Sequence, residues 1–150
     1  MEIINGERLV LGTCYYPEHW DESLWRDDLK RMLENGIEVI RIAEFAWSKI
    51  ERYEGVFNYD FFDRFLDVAA DMGMKVIFCT PTATPPAWLT EKYPEVLNAN
   101  MDGVLYRHGG RRHYNYNSPK YQELTRKKVK KSASHYAKHP AIIGWQIDNE

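Results

Sequence analysis

Ile142-Ile143-Gly144-Trp145-Gln146-Ile147-Asp148-Asn149-Glu150 joins an apolar run to two carboxylates and an amide. The run reads as a short buried strand, the kind found in parallel sheets whose two faces are both covered. Polar, titratable side chains at the carboxyl end of such a strand do little for stability. Barrel enzymes build their sites at that end. Glu150 is on this ground the leading candidate for a catalytic residue.

Three earlier segments repeat the design. Residues 9–15, 39–42 and 75–79 are apolar and rich in strand formers, and each empties into a polar and aromatic loop. Helices are expected between them. The first is capped by Asp21, carries Leu24, Trp25, Leu29, Met32 and Leu33 at helical spacing, and stops at Asn35-Gly36. The second places Phe62, Phe65, Leu66 and Ala69 at i, i+3, i+4 and i+7 and stops at Gly73. The third opens at Ser118-Pro119 and closes at His139-Pro140. Its basic run, Arg126-Lys127-Lys128 and Lys130-Lys131, reads as a solvated outer face. From Leu89 to Asn117 no period survives, yet Tyr93, Tyr106, Tyr114 and Tyr116 argue against disorder.

The rhythm of strand and helix predicts an α/β fold with a parallel sheet. Four strands and three helices make the first half of a (β/α)8 TIM barrel, whose usual size is about 250 residues. The expectation is one domain over residues 1–150, truncated after the fourth strand, with no second domain. A doubly wound sheet is disfavoured, because no glycine-rich fingerprint follows the first strand.

Bulk properties narrow the function. A formal charge of -2 excludes reading the chain as a nucleic-acid binder. No apolar run is long enough to span a bilayer, and residues 1–6 lack an export signal, so no membrane partner and a cytoplasmic location are expected. Cys14 and Cys79 read as small buried strand residues. With His108 and His113 they match no zinc-ligand spacing, so no metal is expected from this chain. Arg107, Arg111, Arg112 and His113 lack the glycine-rich loop and helix that a phosphate site needs.

The four strand ends collect Glu18, His19 and Trp20; Glu44 and Trp47; Trp88 and Arg111; then Asp148, Asn149 and Glu150. Aromatic rings stack on the apolar face of a sugar, while charged and amide groups bond its hydroxyls. Glycoside hydrolysis needs two carboxyls flanking the scissile bond, one of them protonated to assist the leaving group. Glu150 at the rim of an apolar strand suits a general acid. Asn149 suits a hydroxyl ligand, and Arg111 a ligand of hydroxyls or of a carboxylate.

With these residues in place, the chain resembles the amino-terminal part of the family 42 glycoside hydrolases, bacterial β-galactosidases with a TIM-barrel catalytic domain. The resemblance is carried by residues 12–20 (GTCYYPEHW), 41–48 (RIAEFAWS), 81–89 (PTATPPAWL), 110–117 (GRRHYNYN) and 145–150 (WQIDNE). It implies a retaining hydrolase of terminal non-reducing β-D-galactosyl residues that needs no cofactor. Glu150 matches the proton donor (acid/base), and Asn149 and Arg111 match substrate-binding positions. Two departures qualify it. Asn115 stands where many members have a zinc-binding cysteine, so no structural zinc is expected. The family nucleophile lies at the end of a seventh strand, so the chain alone is expected to be inactive. The implied partners are a β-galactoside substrate, the missing second half of the barrel, and further copies in a homo-oligomer. Alternatives are a related retaining hydrolase such as an α-L-arabinopyranosidase, or a non-catalytic sugar-binding or self-associating half-barrel.

Overall fold

A computed structural model describes residues 9–110 and 112–149. Four strands, β1 (Leu11–Cys14), β2 (Ile37–Ile42), β3 (Lys75–Cys79) and β4 (Ile142–Gln146), form one sheet in the order β1-β2-β3-β4. Every neighbouring pair is parallel. The pairing matches Cys14 with Arg41, Ile42 with Phe78 and Cys79 with Gln146, so the strands end nearly level. That levelling puts all four strand-end loops on one rim. Gly12 is required where β1 meets β2, since a Cβ there would lie 3.0 Å from the Val39 carbonyl oxygen.

Three helices make the crossovers: α1 (Trp25–Glu34), α3 (Asp60–Asp71) and α5 (Pro119–Tyr136). Two short ones, α2 (Trp47–Ile50) and α4 (Ala87–Lys92), lie in the loops after β2 and β3 and add to the three expected from periodicity. Asp21 caps as expected, accepting from the Ser23 N–H, but it opens a 3-10 turn over Glu22–Leu24 that feeds α1. Ser118 caps α5 by accepting from the Tyr121 N–H, with Pro119 in the first turn. Gly36 and Gly73 end α1 and α3 at φ near +78° and +79°, a conformation glycine adopts without steric cost.

The principal core lies between the sheet and the helices. Trp25 and Leu29 of α1 and Phe62, Phe65, Leu66 and Ala69 of α3 pack on Ile40, Ile42, Val76 and Phe78. A second core explains why the long unpatterned stretch is ordered. Trp47, Leu89, Val96, Tyr114, Tyr121 and Leu124 pack together, with Tyr114 stacked on Tyr121 at 4.8 Å between ring centroids.

Three sequence expectations need correcting. Lys128 does not belong to a solvated face: it is fully buried, and its ammonium donates to Ser132 Oγ at 2.6 Å. The run of charges wraps around α5, and one of them falls on the inward side. Cys14 is exposed, whereas Cys79 is buried as expected. β1, expected to be buried, is exposed along its length, because it is an edge strand of this sheet.

Candidate active site

The cleft at the rim is built from polar residues set into otherwise apolar strands. Arg41 of β2 reaches across the sheet's concave side to Gln146 of β4, donating from Nη1 to Oε1 at 2.6 Å. Its Nη2 lies 2.8 Å from Glu44 Oε2 and 3.0 Å from Cys14 Sγ. Glu44 is only 3% exposed, and Tyr16 donates its hydroxyl to the same carboxylate oxygen at 2.9 Å. Burial and this carboxylate together push the Tyr16 phenol up to about 12. The phenol is therefore a standing donor to Glu44 at any ordinary pH. One half-buried ion pair thus ties the ends of β1, β2 and β4 together.

Beyond β4 the chain turns sharply. Asp148 has φ near +54°, Ala43 after β2 has φ near +66°, and Arg112 in the third loop has φ near +55°. Such left-handed backbone costs a non-glycine residue about 1–2 kcal/mol, and it persists where its surroundings hold it in place. Asp148 is held firmly. Its Oδ1 accepts from Thr82 at 2.6 Å and its Oδ2 from Tyr116 at 2.9 Å, while its N–H donates to Thr80 Oγ1 at 2.8 Å. Asn149 follows, with Oδ1 accepting from Gln146 Nε2 at 3.2 Å and its carbonyl accepting from Arg112 Nη2 at 3.3 Å.

The resulting cleft has a volume of about 470 Å³ and is lined by Tyr16, Arg41, Glu44, His108, His113 and Asn149, among others. His113 donates from Nδ1 to the Gly110 carbonyl at 2.6 Å, and its Nε2 is buried without a hydrogen-bond partner among the described residues. Burial, then the neighbouring His113, lower the pKa of His108, whose Nδ1 lies 2.9 Å from Thr90 Oγ1. The walls thus offer a cation, a carboxylate, an amide and two imidazoles, a donor and acceptor set suited to a polyhydroxylated ligand.

The β-galactosidase model of glycoside hydrolase family 42 matches residues 14–150. The chain belongs to that family. Its family 42 relatives include the β-galactosidase BgaA of a Thermus species, 45% identical over 94% of this chain and 22% of the relative. The β-galactosidase Bga of Halorubrum lacusprofundi is 42% identical over 93% of this chain and 20% of the relative. Among solved structures, the β-galactosidase of the psychrophile Marinomonas ef1 superposes with a TM-score of 0.91. It is 44% identical over 95% of this chain and 22% of that one. The Halorubrum enzyme superposes with a TM-score of 0.90 at 42% identity, covering 95% of this chain and 21% of that one. The chain thus spans about a fifth of the length of the relatives it matches, and its sheet is a four-stranded arc of the family 42 barrel.

Of the residues singled out from sequence, Asn149 and Glu44 line the cleft. Arg111 and Glu150 lie outside the described residues. Glu18 and Trp20 line a different groove. Trp47 is a core residue, fully buried, with its indole donating to Glu51 Oε2 at 2.8 Å. Trp88 is likewise structural, its indole donating to the Glu51 carbonyl at 3.0 Å. Sequence reasoning passed over Tyr16, Arg41, Gln146 and Arg112. Gln146 did leave a signal as the lone polar residue of β4, and Arg41 as a charge set between Ile40 and Ile42 in β2.

Proposed function

We propose that this chain supplies the acid/base half of a retaining β-galactosidase site acting on terminal non-reducing β-D-galactosyl residues. Glu150 is the proton donor and then the base, and Asn149 and Arg111 bind the galactosyl hydroxyls. The observation that carries the reading is the position of Asn149, immediately before Glu150 and in the wall of the cleft that holds Arg41 and Glu44. Glu44 is committed to Arg41 and Tyr16, which makes it an electrostatic and positioning group. The second carboxylate of a retaining pair, roughly 5–5.5 Å from the first, comes from the complementary part of the barrel. By itself the chain does not turn over β-galactosides.

The site works without a structural zinc. In support, Asn115 serves an Asx turn, its Oδ1 accepting from the Asn117 N–H at 2.9 Å. A reducing compartment such as the cytoplasm belongs to the same reading, which the two free thiols support. Among the described residues no helix is long and apolar enough to cross a membrane.

The test is a chimera in which this chain replaces the matching segment of the Thermus enzyme. It hydrolyses 4-nitrophenyl β-D-galactoside, and Asn149→Ala or Arg111→Ala lowers kcat/KM on the order of 100-fold, about the worth of two lost charge-assisted or neutral hydrogen bonds. A chimera that prefers the α-L-arabinopyranoside would overturn the substrate assignment.

A further inference from the structure

A groove of about 910 Å³ opens between the loop after β1 and the residues that carry α2 and the start of α3. It shares no lining residue with the cleft. Trp20 forms one wall. The residue is 54% exposed and its ring, among the described residues, is paired with no other ring, although its backbone N–H bonds the Pro17 carbonyl. A large flat apolar surface is thus left in water.

Polar groups flank it. Glu18 is half-buried, and its Oε2 is shielded from solvent without a hydrogen-bond partner. The residue nevertheless lines the groove, where it adds an acceptor to the wall. Lys49 extends its ammonium over the Phe61 ring at 4.0 Å. Four carboxylates (Glu18, Asp21, Glu22, Asp60) face three cations (Lys49, Arg52, Arg64) across the groove. Glu22 and Arg64 neutralise each other at 2.5 Å, and Asp21 is taken up by Ser23. A groove so nearly balanced in charge favours neither an anion nor a cation. An exposed ring beside mixed donors and acceptors favours a neutral, polyhydroxylated chain.

We propose that this groove is a second saccharide-binding site, with Trp20 stacking on a sugar ring and Glu18 and Lys49 bonding its hydroxyls. Such a site holds a neighbouring stretch of a polymeric or oligomeric substrate without touching the reacting bond. The groove itself stands on its own geometry; the choice of a galactosyl chain as ligand rests on the proposed function of the cleft.

The test uses the whole chain labelled with 5-fluorotryptophan and titrated with β-1,4-galactotriose, with maltotriose as comparison. The fluorine resonance of Trp20, assigned by Trp20→Phe, shifts saturably, and Asn149→Ala in the cleft leaves that shift unchanged. Glu18→Gln weakens the binding read at Trp20 about tenfold, the scale expected for losing one charged partner. No shift at Trp20 with either sugar overturns the proposal. Loss of the shift in Asn149→Ala overturns its independence from the cleft. A shift with maltotriose and none with galactotriose keeps the saccharide groove and counts against the galactoside reading.

Discussion

At Asp148 the backbone enters the left-handed region while both carboxylate oxygens and the N–H are engaged by Thr82, Tyr116 and Thr80. The residue spends side-chain bonds to hold a turn that sets the direction of Asn149. Asp148→Ala removes two of those three anchors. In the chimera it should lower kcat/KM by about tenfold to a hundredfold with little change in melting temperature, because the loss is one of positioning. Steady-state kinetics beside a thermal melt checks this. Lys128 is a different case, one of stability. Burial pushes its ammonium down to about 7, against the opposing charge of Glu51. Between about pH 7 and its ordinary value of 10.5 the unfolded chain binds the proton that the folded chain refuses, so stability rises with pH across that window. Below about pH 7 the full penalty is present. Lys128→Met should therefore raise stability at pH 7 by about 1–3 kcal/mol and flatten the rise, since Ser132 keeps Tyr59 as a partner at 3.2 Å. Denaturant melts of both proteins at pH 7 and pH 9.5 decide it.

At the scale of elements, local chemistry is as legible as packing is hidden. Asp21 announces the 3-10 turn that feeds α1, Ser118 the start of α5, and Gly36 and Gly73 the ends of α1 and α3, because caps and left-handed stops need particular side chains. Ser118→Ala should cost about 1 kcal/mol by removing the bond to the Tyr121 N–H, as read from a urea melt. β3 is likewise plain in the sequence, with the strand formers Val76, Ile77 and Phe78 in a row. What stays hidden depends on contacts between distant segments. The Trp47, Tyr114 and Tyr121 cluster beneath the third loop has no period, since its members come from a short helix, a loop and α5. Lys128 looks like its basic neighbours until α5 is laid on Tyr59. The rim residues divide in the same way. Asn149 and Glu44 follow from their place at strand ends, whereas the assignment of Trp20 to a separate groove depends on how the β1 loop folds over α2 and α3.

For the whole molecule, the four-stranded arc leaves apolar surface in water. Leu9, Leu11 and Ile147 are exposed beside or beyond the outer strands β1 and β4. A parallel sheet so exposed is prone to pair or to bury its face against another surface. The isolated chain should therefore self-associate at micromolar concentration, and a monomer by light scattering would count against this. The central claim is that Glu150 is the proton donor of a site that this chain completes only with the rest of a barrel. It is tested most directly by Glu150→Gln in the Thermus chimera, with turnover compared for lactose and for 2,4-dinitrophenyl β-D-galactoside. A poor leaving group needs the proton, and an activated one leaves without it. The account predicts a loss on the order of 100-fold or more for lactose, with the initial burst of dinitrophenol preserved. Loss of the dinitrophenol burst, or an undiminished rate on lactose, would contradict it.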